Sequence, residues 1–325
     1  EAATKTRKTF YTFDNIKTKI CLEHIVAGGR NISRAREETG ATGATGGALW
    51  ESSYVLSDWI SRHLRRKQAK TKVQLTDSQN LLPPSVQDLL CGFLLPKGST
   101  GIELGAGLGL TSIVAKKRTK VRIIATDGDS AVLDLLRRNC ELNNSKVKVK
   151  QLWWGSENIM SDLGIKKVPS MLFGSGIVYG KDTGVFQKLA KTIYELSGPK
   201  TIVLLAHGQG AAPGVHEGNG CFFDLIKHNF EVYRIPSDTL HPKHRDGSCV
   251  IHLLLRKPNM PLKNKGKEDQ PTDARKRKNT NTLKSETNSE NRAKKKKRKQ
   301  QKQSARIKAP NSKLTLTPKE LAGET

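Results

Sequence analysis

The stretch Gly101-Ile102-Glu103-Leu104-Gly105-Ala106-Gly107-Leu108-Gly109-Leu110 decides how the rest of the sequence is read. An apolar run carrying one carboxylate ends in alternating glycines and passes directly into a helical continuation through Lys117. Strand, glycine turn and helix in that order suit a nucleotide-like ligand. Three cofactor classes use such a turn. A phosphate-cradling loop needs Gly-Lys-Ser/Thr where the helix opens, and here Gly109 is followed by Leu110 and Thr111. A dinucleotide fingerprint needs Gly-x-Gly-x-x-Gly beside a pyrophosphate, and counting from Gly105 and Gly107 the third position is Leu110. S-adenosylmethionine has no phosphate but has an ammonium group to place, so Glu103 just before the turn makes electrostatic sense. That cofactor is the best reading of the stretch, with an ordinary strand-turn-helix as its competitor.

The next segment supports the cofactor. Val121 to Thr126 reads as a second strand closed by Asp127-Gly128-Asp129. An acidic residue about 20 positions beyond the turn, at the carboxyl end of the following strand, is where a ribose diol is expected. Asp127 fits. Asp129 is suited to cap a helix from Ala131 to Leu142, which leaves Asp127 for the ligand.

Beyond it, strands are expected at Val147 to Leu152, Met171 to Phe173, Thr201 to Ala206, Glu231 to Ile235 and Cys249 to Leu255, with helices at Thr183 to Leu196 and Phe222 to Asn229. This alternation predicts an α/β, Rossmann-like fold: a seven-stranded, mostly parallel sheet with helices on both faces. No helix separates the last two strands, so they are expected to pair as an antiparallel edge hairpin. Upstream, apolar residues from Trp50 to Leu64 recur at helical spacing and predict an amphipathic helix from Leu49 to about Arg65. Trp50 and Trp59 read most simply as core or lid aromatics. The basic run Arg62 to Lys67 reads as a solvated helix end, with a nucleic-acid contact as the alternative. Asp88 to Leu95 is expected to form a short helix or turn. An edge strand or hairpin around Ile20-Cys21-Leu22, then a flexible Gly/Thr/Ala loop over Thr39 to Gly47, complete an N-terminal extension, residues 1–45.

The chain has 325 residues and a formal net charge of +27, unevenly spread. From Asn259 onward, 20 Lys and Arg face 7 Asp and Glu, which places +13 in the tail and leaves +14 for the rest. A domain over 46–258 followed by a disordered Lys/Arg-rich tail over 259–325 is expected, because the tail is too poor in apolar residues to offset its ordering entropy. Arg275 to Lys278 and Lys294 to Lys299 read as nuclear import signals or RNA contacts, which places the protein in the nucleus or nucleolus, with the cytoplasm also open. Five scattered cysteines with no CxxC pair exclude a disulfide frame and read as reduced intracellular thiols. His241 and His244 form the only close histidine pair in the sequence, and read as a loop rather than a metal site. No apolar run approaches the roughly 20 residues that cross a bilayer, so a soluble protein, most simply a monomer, is expected. The sequence begins at Glu1 without a methionine, which leaves room for a preceding segment and its address.

Four motifs in order, from about Gly46 to Leu255, resemble the seven-strand, non-SET protein lysine methyltransferases grouped as methyltransferase family 16. They are Trp50 in Gly-Gly-Ala-Leu-Trp-Glu-Ser-Ser; Glu103 to Leu110; Thr126-Asp127-Gly128 with Asn139 and Asn143 on the next helix; and Leu152-Trp153-Trp154-Gly155. The resemblance implies S-adenosylmethionine held by Gly105, Ala106 and Gly107 on its methionine side, by Asp127 at the ribose and by Trp154 and Ser175 near the adenine. Trp50 would close over it and Glu103 would anchor its amino group directly or through water. Each assignment has a packing alternative, strongest for Trp154.

One departure bears on activity. The family continues with Gly-Ala/Ser-Asp-x-x-Tyr, and this sequence reads Gly174-Ser175-Gly176-Ile177-Val178-Tyr179. The carboxylate implied to position the incoming lysine is replaced by Gly176, while Tyr179 remains to wall the channel, and Asp182 lies three residues further as a possible substitute. Two readings follow. One is a methyltransferase acting on lysine side chains of a nuclear or ribosome-related protein. The other is a catalytically weakened binding or assembly module whose basic tail contacts RNA or ribonucleoprotein. RNA methylation ranks last, since neither an Asn-Pro-Pro-Tyr-like motif nor a nucleophilic cysteine motif is present.

Overall fold

The computed structural model describes residues 6–25, 46–65, 75–76, 79, 82–179, 182–208 and 222–258. The Gly/Thr/Ala run over 39–45, Arg66 and Lys67, and the tail lie outside them. An N-terminal antiparallel hairpin is formed by β1 (Thr6–Phe13) and β2 (Ile16–Ile25). Then follow α1 (Glu51–His63), α2 (Pro84–Leu90), β3 (Thr100–Leu104), α3 (Leu110–Arg118), β4 (Arg122–Asp127), α4 (Ser130–Leu142) and β5 (Lys148–Gln151). The chain continues through α5 (Ile159–Leu163), β6 (Met171–Ser175), α6 (Thr183–Glu195), β7 (Ile202–Gly208), α7 (Phe222–Ile226), β8 (Phe230–Arg234) and β9 (Cys249–Arg256).

The main sheet has seven strands in the order β5-β4-β3-β6-β7-β9-β8. From β5 to β7 all pairs are parallel, whereas β9 runs antiparallel to both β7 and β8. The last two strands do pair as a hairpin, but β9 inserts inside and β8 forms the edge. Winding proceeds outward from β3 through β4 to β5, then resumes at β6 on the other side of β3. That reversal makes the β3/β6 boundary the switch point, where a crevice opens at the carboxyl ends of the strands.

Strand alternation sorts the two cores. Ile123, Ala125, Phe173, Leu204 and Ala206 face α1, α3, α4 and the hairpin. Ile102, Leu104, Ile124, Leu172 and Leu205 face α5, α6 and α7. Every residue of β3 and β6 is buried, as strands covered on both faces require. Trp59 is fully buried and donates its Nε1–H to the Thr239 hydroxyl at 3.3 Å, which confirms it as core.

Some boundaries differ from the sequence reading. α2 begins at Pro84, where the missing N–H and fixed φ of proline suit the first helical turn, and has ended before Gly92, φ +106. The short α5 has an apolar pattern too brief to register in the sequence. The basic end of α1 is bonded rather than merely solvated: Arg62 reaches Asp58 and the Thr239 carbonyl, and Arg65 reaches the Cys91 carbonyl. Among the described residues no helix is long and apolar enough to cross a membrane.

Candidate cofactor and substrate site

The glycine turn leaves β3 at the switch point. Gly105 (φ +59) and Gly107 (φ +52) both take left-handed backbone, where a side chain is strained. Space closes them further: a Cβ on Gly105 would meet Ile177 Cγ2 at 2.6 Å, and one on Gly107 would lie 3.2 Å from the Gly46 carbonyl oxygen. Ala106 between them donates its N–H to the Thr126 carbonyl at 2.8 Å, fastening the turn to β4.

Asp127, the last residue of β4, leans over this turn. Its Oδ2 accepts from the Gly107 N–H at 3.0 Å and its Oδ1 from the Asp129 N–H at 3.2 Å. Burial raises its pKa, and these two backbone donors oppose the rise. Asp129 caps α4 by accepting from the Ala131 N–H at 2.9 Å, as its position in the sequence implied.

Glu103 lies buried behind the turn. Alternation along β3 turns it toward α3, away from Ile102 and Leu104, and it has no exposed surface. Its Oε2 accepts from the Ser112 N–H at 2.9 Å. Ser112 is the third residue of α3, whose N-cap, Gly109, offers no side-chain acceptor. Glu103 thus caps the helix from an adjacent strand, with the helix dipole favouring its charge. Burial nonetheless dominates and pushes the carboxyl up to about 8, against hydrogen bonding from Ser112 and Thr111. Oε1 is buried without a hydrogen-bond partner among the described residues.

Three aromatics border the site. Trp50 is the N-cap residue of α1, 51 % exposed, and its Cβ and Cγ lie 3.8 Å from where a Cβ on Gly176 would be. Trp154 is half-buried against the α5/α6 core, its ring 3.6 Å from the Cβ position of Gly105. Trp153, not singled out in the sequence, is 65 % exposed and covers Gly128 beside Asp127. Ser175 ends β6 and is buried, and Tyr179 is 47 % exposed on the segment that follows. The turn, Asp127, Trp154 and the Gly46–Trp50 approach therefore come together.

Gly176 has φ +65, donates its N–H to the Ala206 carbonyl at 2.9 Å, and faces Ser52 and Trp50. Asp182 does not take up the missing carboxylate's position: it caps α6, accepting from Gly184 and Val185 N–H. The sequence-local histidines His241 and His244 have ring centroids 6.1 Å apart, and a tighter pair forms elsewhere. His207 and His252 stack with ring planes 3° apart and Nε2 3.1 Å from Nδ1, brought together across the β7/β9 ladder. His244 also packs edge-on against Tyr54, and among the described residues no group of three or more His, Cys, Asp or Glu is placed to hold a metal.

The donors present fit S-adenosylmethionine: an acceptor for a diol in Asp127, close backbone approach at Gly105 and Gly107, and an unpartnered buried carboxylate oxygen behind the turn. A family model described as "Lysine methyltransferase" matches residues 31–229. Among curated proteins, the protein N-lysine methyltransferase METTL21A of Danio rerio is 37 % identical over 153 residues, covering 46 % of this chain and 65 % of that protein. METTL21A of Xenopus tropicalis is 33 % identical over 176 residues, covering 51 % and 72 %. The protein-lysine N-methyltransferase EFM3 of Saccharomyces cerevisiae is 35 % identical over 74 residues, covering 20 % of this chain and 22 % of that protein. The matches thus span from about a fifth to under three quarters of these relatives. S-adenosylmethionine is the cofactor that this membership implies. The chain belongs to the lysine methyltransferase family that the matching model describes.

Proposed function

We propose that this chain transfers a methyl group from S-adenosylmethionine to lysine side chains of a nuclear or ribosome-related protein. The observation that carries the reading is the Asp127–Gly107 hydrogen bond at the switch point, which holds the glycine turn in the shape a diol-bearing cofactor needs. When bound, the cofactor supplies a methyl group on a sulfonium centre, ready for in-line displacement. The chain's residues bind and orient. Asp127 accepts from the ribose, the turn admits the methionine portion, and Trp50 and Tyr179 flank the approach at the rim. Catalysis then comes from proximity and alignment. A lysine amine must be neutral to attack, which at pH 7 costs on the order of 4 to 5 kcal/mol from a reference pKa near 10.4. Tyr179 and the aromatic rim are left to orient it, with Gly176 where the family carries a carboxylate. The basic clusters of the tail support a nuclear or nucleolar location.

Incubating the full chain and tritiated S-adenosylmethionine with nuclear extract tests the proposal. A labelled protein band, with the label on lysine after hydrolysis, is the expected result. Normal cofactor affinity without labelling would sink it.

Gly176 favours a second reading, in which the domain retains the cofactor but serves as a binding or assembly module whose tail contacts RNA. Salt-sensitive RNA binding that survives Asp127→Ala and is lost when 259–325 are deleted would support that reading.

A further inference from the structure

At the end of the sheet opposite the glycine turn, the starts of β3, β4 and β6 border an open cleft of about 840 Å³. Lys97, Lys120, Arg122, Lys166 and Lys167 line it, and among the described residues no Asp or Glu does. All five cations are exposed, and none forms an ion pair with a described residue. Like charges gathered in one concavity raise the local potential and favour an anion there. The hydroxyls of Ser99, Thr100 and Ser170 also line it, and Ser99 Oγ has no hydrogen-bond partner among the described residues.

The dimensions and the lining bear on the ligand. β4, β3 and β6 are adjacent, so with strands about 4.8 Å apart their three starts span roughly 10 Å. A row of cations of that length suits an elongated polyanion carrying one charge per nucleotide along a strand. Among the described residues no aromatic side chain lines the cleft, so these residues offer no platform for base stacking. We propose that this cleft binds the phosphodiester backbone of a nucleic acid strand without reading its bases. β3 separates it from the glycine turn by about 13 Å, at 3.3 Å per residue. The site is thus distinct from both the cofactor pocket and the tail, and the folded domain itself grips nucleic acid.

The test uses the full chain, tail included, as wild type and as the fourfold variant K97Q/K120Q/K166Q/K167Q. Fluorescence anisotropy follows binding of a labelled single strand of about 20 nucleotides, as RNA and as DNA, from about 50 to 300 mM salt. The wild type should show a steep log–log salt slope. In the variant the slope should become shallower by about 0.7 per lost contact, two to three in all, and affinity should fall at least about tenfold at the lower salt. Cofactor affinity by calorimetry should be unchanged. Equal slopes and affinities in the two proteins would overturn the proposal, leaving the tail to do the binding. So would displacement by polyglutamate as effective per charge as by nucleic acid, or displacement by millimolar inorganic phosphate at constant ionic strength. Should the variant not fold, photo-crosslinking of a thiouridine strand to wild type decides: adducts at 97–100, 120–122 or 164–170 support the site, and adducts confined to 259–325 refute it.

Discussion

Asn139 on α4 holds both backbone groups of Glu23 on β2, accepting from its N–H at 2.7 Å and donating to its carbonyl at 3.1 Å. Asn143 does the same for Cys21, at 2.9 and 2.6 Å. The register works because four helical residues rise about 6 Å and two strand residues about 6.6 Å. Asn139 Nδ2 also donates to the Leu108 carbonyl at 3.1 Å, so one amide ties the hairpin to the glycine turn. Asn139→Ala would leave these groups unpaired, and we expect a loss on the order of 2 to 4 kcal/mol in urea unfolding. A loss below about 0.5 kcal/mol would mean that water replaces the amide freely.

Asp127→Ala removes the acceptor for both Gly107 and Asp129 N–H along with the proposed diol contact. Hydrogen bonds to a charged group contribute about 1.5 to 3 kcal/mol, so cofactor affinity should fall by roughly 10- to 150-fold. Calorimetric titration of both proteins checks this. Unchanged affinity would place the ribose elsewhere.

Stability should vary with pH through two buried groups acting in opposite senses. The Glu103 carboxyl is raised from 4.5 to about 8 by burial, so the folded chain holds a proton that the unfolded chain releases. Its contribution is fully present below pH 4.5 and is lost as pH rises toward 8, at up to about 1.4 kcal/mol per pH unit. Burial lowers His63 from 6.5 to about 4, so its contribution is lost as pH falls across that interval. Chemical unfolding between pH 5 and 9 should therefore show Glu103→Gln gaining on wild type as pH rises. Parallel curves for the two proteins would contradict the buried acid.

The same carboxyl links cofactor binding to protons. If Glu103 ionises as an ammonium group arrives, binding at neutral pH releases a proton, and the apparent enthalpy should differ between buffers of high and low ionisation heat. Identical enthalpies would leave Glu103 a helix cap alone.

Restoring the family's carboxylate as Gly176→Asp forces a side chain into φ +65, at a cost of about 1 to 2 kcal/mol, with the new Cβ 3.3 Å from Ser52 Oγ. Stability should fall accordingly while methyl transfer to lysine accelerates. No gain in labelling would favour the binding-module reading.

The parallel core, the glycine turn, the Asp129 cap and the α1 helix were all legible because each rests on local chemistry or on periodicity. What escaped the sequence depends on pairing between distant segments. Glu103 caps α3 because an adjacent strand turns it there, and the sequence shows only its proximity to the turn. His207 and His252 meet across an antiparallel ladder 45 residues apart, a pairing that no local pattern announces, unlike the sequence-local pair at 241 and 244. Asp182 was readable as an N-cap from the helical run that follows it, yet its nearness to Gly176 suggested a substrate contact.

The hairpin's attachment also has a bearing on how the chain is made. Asn139 lies 116 residues after Glu23, so a ribosome adding about 5 to 20 residues per second finishes the hairpin roughly 6 to 23 s before its anchor is synthesised. Until then the Cys21 and Glu23 backbone groups that α4 holds are unpaired, the state in which strand edges recruit foreign strands. Nascent chains arrested before residue 139 should therefore be the ones that chaperones retain, and release should coincide with the appearance of α4.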